Sequence, residues 1–385
     1  MVMRIGLLSW AWFAVWALPL PAAVNPERVA RIGPRMGSFV QQGKAAGVVT
    51  LLFHEGKQIH LDASGYLKLE DKSPIRTDSI FEVMSMTKPI TSTAILMLAE
   101  EGKLALTDPV EKHLPEFRGQ WVAAGAEGRQ EKPVRPITIR DLLTHSSGLP
   151  EYPPAGMGGA SFYGRLDKTL AEAVTLYSQL PLQFQPGTKA QYSNPGMATL
   201  GRIIEVLSGE PYERFLERHI FQPLGMKDSF FFPPEDKLAR IAGVYALNQG
   251  KLTNAWPGIH RKGARYSFPE GGLYATAADM AAFYQCMLNG GAPLLSRAGH
   301  QTMLAIHSGE TMRGGSGWGL GWSVTQSNAG LLDLRSLGAY GHAGAFGTFG
   351  WIDPGRKLVG VFMIQGGAAE EARNAFVEMA NAAIE

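Results

Sequence analysis

The chain has 385 residues, enough for two or three domains at ~150 residues each, or for one large domain with an insertion. Hydrophobic residues make up 45% and charged residues 18%, which excludes an intrinsically disordered chain. Lys and Arg number 36 against 34 Asp and Glu, so a net charge of +2 gives no electrostatic footprint for nucleic acid. Cys286 is the single cysteine and the nine histidines form no HExxH, so we expect no internal disulfide, no metal and no cofactor.

The first residues have the pattern of an export signal. Arg4 precedes an apolar run over residues 5–18, and the small residues Ala22 and Ala23 follow. This order is typical of a secretory signal peptide, and the run is shorter than the ~20 residues of a membrane span. We therefore expect residues 1–23 to be a signal peptide and the mature protein to be periplasmic or secreted, without a membrane span. A single N-terminal anchor is the alternative.

After the signal, the chain predicts a helix and then a β-hairpin. Asn25-Pro26 is an N-cap followed by proline at the first helical position. The hairpin joins residues 48–53 to residues 58–63. Residues 85–98 are apolar almost all round, which indicates a buried helix. A loop rich in Gly, Pro and aromatic residues follows later, and its aromatics either line an apolar pocket or pack as ordinary loop residues: Tyr152, Phe162 and Tyr163.

Strand patterns return near the C-terminus, at residues 319–325, 339–344, 348–352 and 358–364, before a final amphipathic helix. Strands at both ends predict one sheet built from both ends of the chain, over residues 24–84 and 292–385. A mostly helical region, residues 85–291, is inserted between them. The predicted fold class is therefore mixed α/β (α+β), an antiparallel sheet flanked by helices with a helical region beside it, in one domain over residues 24–385.

Ser85-Met86-Thr87-Lys88 is the one Ser-x-x-Lys, and it opens the predicted buried helix. Residues i and i+3 share a helical face, so the Lys88 amine should lie beside the Ser85 hydroxyl. A serine hydroxyl needs an adjacent base to become a nucleophile. A lysine desolvated here can lose its own proton near neutral pH, or it can lower the pKa of a neighbouring base. Alone, the motif is a weak signal, because a chain of this length contains about one Ser-x-x-Lys by chance, and a capping serine with a surface lysine is the simpler interpretation.

Two further motifs strengthen the interpretation. Tyr192-Ser193-Asn194 opens another apolar helical pattern, so Tyr192 could serve as a general base and Asn194 could orient a lysine or a substrate carbonyl. His342-Ala343-Gly344 ends a strand, where small residues leave room for substrate and a backbone N–H for an oxyanion.

With these three motifs in this order, the chain resembles the serine β-lactamase-related family. That family includes class C β-lactamases, penicillin-binding DD-peptidases, D-aminopeptidases and family VIII carboxylesterases. The third motif stands in the slot that reads Lys-Thr-Gly in true β-lactamases. Further strings similar to those of the family lie at residues 85–91, 102–117, 141–150, 192–209, 221–231 and 271–283. The match covers nearly all of the mature chain, and it implies the family fold, with the active site in the groove between the sheet and the helical region.

The resemblance also implies roles for individual residues. Ser85 would be the acylated nucleophile, Lys88 its proton partner and Tyr192 the general base, while Asn194 would hold Lys88 and the substrate. The backbone N–H groups of Ser85 and of Ala345, just past Gly344, would form the oxyanion hole. His145 and Gly148, in the string LLTHSSG, are expected to shape the wall of the site.

The choice of substrate depends on His342. A lysine in this slot would be a permanent cation for a substrate carboxylate, whereas a histidine with its ordinary pKa near ~6.5 is mostly neutral at pH 7. We therefore expect a carboxylesterase acting on short acyl esters, with a small-molecule ester or amide as its partner. The alternatives are a D-Ala-directed peptidase or weak β-lactamase, a penicillin sensor that acylates without turnover, and an inactive scaffold. The sequence leaves the oligomeric state open.

Overall fold

The computed structural model describes residues 23–123, 129–152, 167–256, 263–308, 316–327 and 334–385. Residues 1–22 of the expected signal peptide lie outside the described residues, as do Phe162 and Tyr163. None of the helices in the described ranges is long and apolar enough to cross a membrane.

The strands differ widely in length, and the longest belong to one sheet. In chain order they are β1 (Gly47–His54), β2 (Lys57–Lys68), β3 (Ser73–Pro74), β4 (Ile80–Glu82), β5 (Val122–Ala123), β6 (Gln130–Glu131), β7 (Val244–Asn248), β8 (Lys251–Trp256), β9 (Tyr274–Thr276), β10 (Ser316–Trp318), β11 (Ser323–Thr325), β12 (Tyr340–Ala343), β13 (Phe349–Asp353) and β14 (Leu358–Ile364). Within the described residues, eight of them form an antiparallel sheet in the order β10-β11-β12-β13-β14-β1-β2-β3. The sheet therefore brings the two ends of the chain side by side, with Val48 paired to Ile364.

Helices cover both faces of this sheet and fill the region beside it. In chain order they are α1 (Pro26–Ala30), α2 (Ile32–Gln41), α3 (Thr87–Glu100), α4 (Val110–His113), α5 (Ile139–Leu143), α6 (Leu170–Ser178), α7 (Asn194–Ser208), α8 (Tyr212–Leu216), α9 (Gln222–Leu224), α10 (Ala277–Leu288), α11 (Arg297–Leu304) and α12 (Ala369–Ala382). The helices α2 and α12 contact the sheet through a core that contains Phe39, Trp351 and Phe376, while α10 contacts β13 and β14. Coverage on both faces explains why β14 reads as a continuous apolar run with every residue buried.

Helix α3 lies at the centre of the helical region, against α7, α8 and α11. Almost all of its side chains are buried, including Lys88. The apolar pattern of residues 85–98 correctly predicted this burial. A short 3₁₀ turn, Met84–Met86, precedes the helix and carries Ser85.

The mixed α/β fold class and several elements are confirmed, among them the first hairpin, the last three strands and the final helix. The single strand expected at residues 319–325 is wrong, because Gly321 has a φ of +81° and a turn there separates β10 from β11. The helical region also contains the β7–β8 hairpin. Its tight turn is made by Gln249 and Gly250, which both have a positive φ. Such turns favour hairpins, but their usual sequence is Asn-Gly or Asp-Gly, so a glutamine at the first position is a weak signal for one.

Candidate active site

The turn that carries Ser85 is held from two sides. The Thr87 hydroxyl donates to the carbonyl of Met84 at 2.7 Å and accepts from the N–H of Leu273 at 3.2 Å. The N–H of Val83 in turn donates to the carbonyl of Leu273 at 3.0 Å. Ser85 itself is only partly buried, so the nucleophile candidate stays accessible on a fixed backbone.

Lys88 lies directly beside Ser85, as the i, i+3 spacing predicts. Its Nζ is fully buried and contacts Ser85 Oγ at 3.0 Å, Asn194 Oδ1 at 3.0 Å and the carbonyl oxygen of Glu270 at 2.5 Å. An amide or peptide oxygen only accepts, so the Lys88 contacts to Asn194 and Glu270 use two N–H bonds whatever the charge. The Ser85 hydroxyl is the one partner of the three that can also donate. A neutral Lys88 amine therefore directs its lone pair at the Ser85 proton.

The charge state of Lys88 is set by its burial. Desolvation lowers the pKa of Lys88 from 10.5 to about 7, against the opposing effect of the Glu270 and Glu151 carboxylates. An amine with a pKa near 7 has an unprotonated fraction at neutral pH, as a general base requires.

Tyr192 lies immediately before α7, whose N-cap is Ser193. Lys88 Nζ is 4.7 Å from the centre of the Tyr192 ring. Desolvation raises the pKa of Tyr192 above its ordinary value, and a hydrogen bond with the Ser85 hydroxyl offsets only part of this rise. Tyr192 therefore keeps its proton in the resting site, and Lys88 is the group that titrates near pH 7.

Asn194 is the first residue of α7 and is buried. Its backbone N–H and its side-chain Nδ2 both donate to the carbonyl oxygen of Glu151, each at 3.2 Å. This contact identifies Nδ2 as the donor end of the amide, so Oδ1 faces Lys88. The structure thus brings Ser85, Lys88, Tyr192 and Asn194 together, as the motifs predict.

The third motif ends β12. His342 Nδ1 lies 2.7 Å from the carbonyl oxygen of Ala343, so Nδ1 carries the proton of a neutral ring and Nε2 has the lone pair. Desolvation, aided by the charge of Lys88, lowers the pKa of His342 to about 3. The ordinary pKa assumed from the sequence therefore does not apply, and the ring is neutral at pH 7. Among the described residues, the buried Nε2 has no hydrogen-bond partner.

Gly344 brings the end of β12 against the chain that leads into Ser85. A Cβ at this position would overlap the Thr348 hydroxyl and the carbonyl oxygen of Val83. The Thr348 hydroxyl itself donates to that Val83 carbonyl at 3.1 Å. Ala345 follows in a turn closed by the Gly347 N–H on the Gly344 carbonyl at 2.9 Å. The close approach explains the glycine, and the oxyanion role of Ala345 stays a prediction.

An aromatic cluster forms one side of the site. The His145 ring lies 4.6 Å from the Tyr192 ring and 4.8 Å from Trp318, and Trp318 meets His342 edge-on at 5.6 Å. His145 is fully buried, consistent with a wall residue, and Gly148 has a φ of +83° next to the carbonyl of Phe184. Tyr152 is 42% exposed, and the pocket predicted from the aromatic loop stays a prediction.

Sequence reasoning missed Glu270 and Trp318. Glu270 is buried beside Lys88, and its carboxylate accepts from the Tyr266 hydroxyl at 2.8 Å. A glutamate between Pro269 and Gly271, directly before the family-like string at residues 271–283, was the available signal. Trp318, whose Nε1 donates to the Leu143 carbonyl at 3.1 Å, had no comparable local signal.

Comparison with known proteins agrees with this geometry. The family model described as Beta-lactamase matches residues 33–384. The chain belongs to the beta-lactamase family. This beta-lactamase family protein is 31% identical over 354 residues to Esterase EstB of Burkholderia gladioli, covering 82% of this chain and 86% of that protein. It is 29% identical over 366 residues to the putative D-alanyl-D-alanine carboxypeptidase of Escherichia coli K12, covering 87% of this chain and 82% of that protein.

Among solved structures, the fold is similar to EstCE1, described as a hydrolase with promiscuous acyltransferase activity. The TM-score is 0.80 at 24% identity, over 93% of this chain and 98% of that one. Membership of the family makes this protein a serine hydrolase with the β-lactamase fold.

Proposed function

We propose that this serine hydrolase is a carboxylesterase that cleaves short neutral acyl esters through an acyl-enzyme on Ser85. The contact that carries the proposal is the 3.0 Å approach of Lys88 Nζ to Ser85 Oγ, made by an amine whose pKa is about 7. Such an amine can take the serine proton at neutral pH, and the hydroxyl then becomes the nucleophile.

In the acylation step, Ser85 Oγ bonds to the ester carbonyl carbon as its proton passes to Lys88. The oxyanion accepts from the N–H groups assigned to Ser85 and Ala345, and each donor of this kind is worth about 3–4 kcal/mol in the transition state. When the C–O bond to the alcohol breaks, the leaving oxygen takes a proton from Tyr192, which Lys88 then restores. In deacylation, water attacks the acyl carbonyl in place of the alcohol, and its proton passes through Tyr192 to Lys88. The bond to Ser85 Oγ then breaks, Lys88 returns the proton to Oγ, and the carboxylic acid is released.

This assignment places the resting base at Lys88 rather than at Tyr192. The raised pKa of Tyr192 supports Lys88 as the base, because a phenol that keeps its proton can donate it but cannot accept the proton of Ser85. Asn194 stays in the role predicted from its position, since its Oδ1 fixes the direction of the Lys88 amine.

The state of His342 supports a neutral substrate. Its ring carries no charge at pH 7 and its Nε2 has a lone pair, so it attracts a hydrogen-bond donor and repels a carboxylate. The leaving group of an ester is an alcohol, so ester cleavage does not require protonation of a basic amine leaving group. The name of EstB, an esterase, agrees with this substrate class.

A D-Ala-directed carboxypeptidase is the second candidate, because the Escherichia coli relative carries that name. Its substrate ends in a carboxylate, and the third motif would meet this group with the uncharged His342. Steady-state rates separate the candidates when p-nitrophenyl butyrate, nitrocefin and a D-Ala-D-Ala peptide are compared, with Ser85→Ala as the control. We expect kcat/KM to be highest for the ester. A higher value for the peptide would establish the second candidate, and one stoichiometric burst without turnover on every substrate would indicate a sensor.

We also propose that the protein is exported. Arg4, the apolar run at residues 5–18 and the small residues Ala22 and Ala23 support this proposal. Intact-mass analysis of protein expressed in a bacterium should find a mature N-terminus near Val24 in the periplasmic or culture fraction. Retention of Met1 on soluble cytoplasmic protein would contradict it.

A further inference from the structure

His145 occupies an unusual place in the chain. It follows α5 with a φ of +56°, in the left-handed region, where residues other than glycine are uncommon and asparagine, aspartate and histidine are the enriched ones. Its side chain is fully buried. A strained backbone at a buried polar residue persists only where surrounding contacts hold it, and such positions cluster at functional sites.

Those contacts converge on the segment that carries Tyr192. The N–H of Gln191 donates to the His145 carbonyl at 2.8 Å, and the N–H of Ser193 donates to His145 Nδ1 at 3.2 Å. The residues before and after Tyr192 are thus both hydrogen-bonded to His145. Between these two bonds, the His145 ring lies 4.6 Å from the Tyr192 ring.

The bond from Ser193 also fixes the state of the His145 ring. Because a backbone N–H only donates, Nδ1 must accept, so the ring hydrogen is on Nε2. Protonation would place a second hydrogen on Nδ1, facing the Ser193 N–H. Burial and the neighbouring Lys88 and His342 hold the pKa of His145 well below its ordinary value, which keeps Nδ1 free to accept.

From this arrangement we propose that His145 is a positioning residue, which holds the Tyr192 hydroxyl in place relative to Ser85 and Lys88. The inference rests on the proposed function, in which Tyr192 transfers a proton. The contacts of His145 are to backbone groups and to the rings of Tyr192 and Trp318, and its Nε2 has no hydrogen-bond partner among the described residues, so its proposed role is to position Tyr192. A displacement of about 1 Å at a reacting group can cost about 10²-fold in rate, so release of this contact should lower kcat with little change in KM.

Two variants separate the hydrogen bond from the ring. His145→Phe keeps an aromatic ring against Tyr192 and removes the acceptor of the Ser193 N–H. His145→Asn tolerates the positive φ and offers Oδ1 as an acceptor in place of Nδ1, but it removes the ring. We expect His145→Phe to lower kcat by about 10²-fold and His145→Asn to lower it less. His219→Asn is a matched control, since that histidine also lies against an aromatic ring, Phe215 at 4.4 Å, outside the site.

A double-mutant cycle with Tyr192→Phe distinguishes positioning from general destabilisation. If His145 acts through the Tyr192 hydroxyl, the change His145→Asn or His145→Phe should lower kcat in the wild type and have no further effect on kcat in Tyr192→Phe. Urea unfolding of the same proteins shows whether each variant is folded, and the Asn variant provides the cycle if the Phe variant does not fold.

The outcomes are separable. Losses in kcat that multiply across the cycle would overturn the positioning role of His145 and leave the proposed function intact. Full activity in Tyr192→Phe would overturn the proton transfer assigned to Tyr192 and with it the positioning role of His145, while ester turnover that depends on Ser85 would remain. Wild-type kcat in both His145 variants would overturn the positioning role alone.

Discussion

The buried Lys88 should make the stability of the protein depend on pH in a specific way. The perturbation is Lys88→Met, which keeps the length of the side chain and removes its titration. The pKa of Lys88 is about 7 in the folded protein against 10.5 for an ordinary lysine. Between these values the unfolded chain binds more protons than the folded chain, so the free energy of unfolding of the wild type rises with pH relative to the variant. Below about pH 7 both states are protonated and the difference is constant.

The magnitude follows from the two pKa values. Each pH unit well inside the window contributes about 1.4 kcal/mol, so the difference between wild type and Lys88→Met should change by about 2.5 kcal/mol between pH 6 and pH 9. The Met variant also leaves Asn194 Oδ1 and the Glu270 carbonyl without their donor. This loss shifts the difference at every pH by the same amount and does not change its slope.

Urea unfolding of both proteins at pH 6, 7, 8 and 9 measures this difference directly. The kinetic counterpart is kcat/KM for p-nitrophenyl butyrate in the wild type, which should rise about tenfold per pH unit below the Lys88 pKa and level off above it. Parallel stability curves for the two proteins, together with a pH-independent kcat/KM, would refute the reasoning that Lys88 is a buried base.

Three further substitutions test the site. Ser85→Ala should abolish turnover without changing the urea midpoint. A fluorophosphonate probe should label Ser85 of the wild type, and labelling at another residue would contradict its assignment as the nucleophile. Tyr192→Phe should lower kcat by about 10²–10⁴-fold with little change in KM, whereas a lower melting temperature with normal kcat would make the tyrosine structural. His342→Lys should raise kcat/KM for nitrocefin by about tenfold or more, since a charge-assisted hydrogen bond is worth about 1.5–3 kcal/mol, and should not raise it for p-nitrophenyl butyrate. Loss of both activities would show that His342 orients the site instead.

The parts of the fold that could be predicted are those with a strong local pattern. The run Leu358–Ile364 is apolar throughout because both faces of β14 are covered, and its bounds in the sequence and in the structure coincide. The β7–β8 hairpin was missed because its strands are short and half-exposed, and its turn begins with Gln249 instead of Asn or Asp. In such short segments the sequence pattern does not distinguish a helix from a strand. The choice depends on tertiary contacts with residues that are distant in sequence.

In the candidate site, too, the contacts that local spacing fixes could be predicted and those that depend on tertiary packing could not. Ser85 and Lys88 were predicted to be neighbours because three residues along a helix fix their distance, and the 3.0 Å contact agrees. The position of Glu270 in the sequence was a signal, but the contact of its carbonyl with Lys88 could not be predicted, because it is a tertiary contact that no spacing reveals. The tautomer of His342 likewise depends on where one carbonyl points, and its low pKa depends on burial that only the packed site creates.

The pairing of β1 with β14 near the middle of the sheet has a consequence for biosynthesis. Val48 is synthesised early and its partner Ile364 late, so through almost the whole of translation the nascent chain contains β1 and β2 but not β14. Contacts of such long sequence separation close slowly, and unpaired strand edges expose a partly made chain to aggregation. The β1–β14 pairing therefore cannot form until β14 has been synthesised, whereas the local β1–β2 pairing does not need it. A truncated product that ends before Leu358 would lose the strand between β13 and β1, and with it the continuous support beneath the His342 motif.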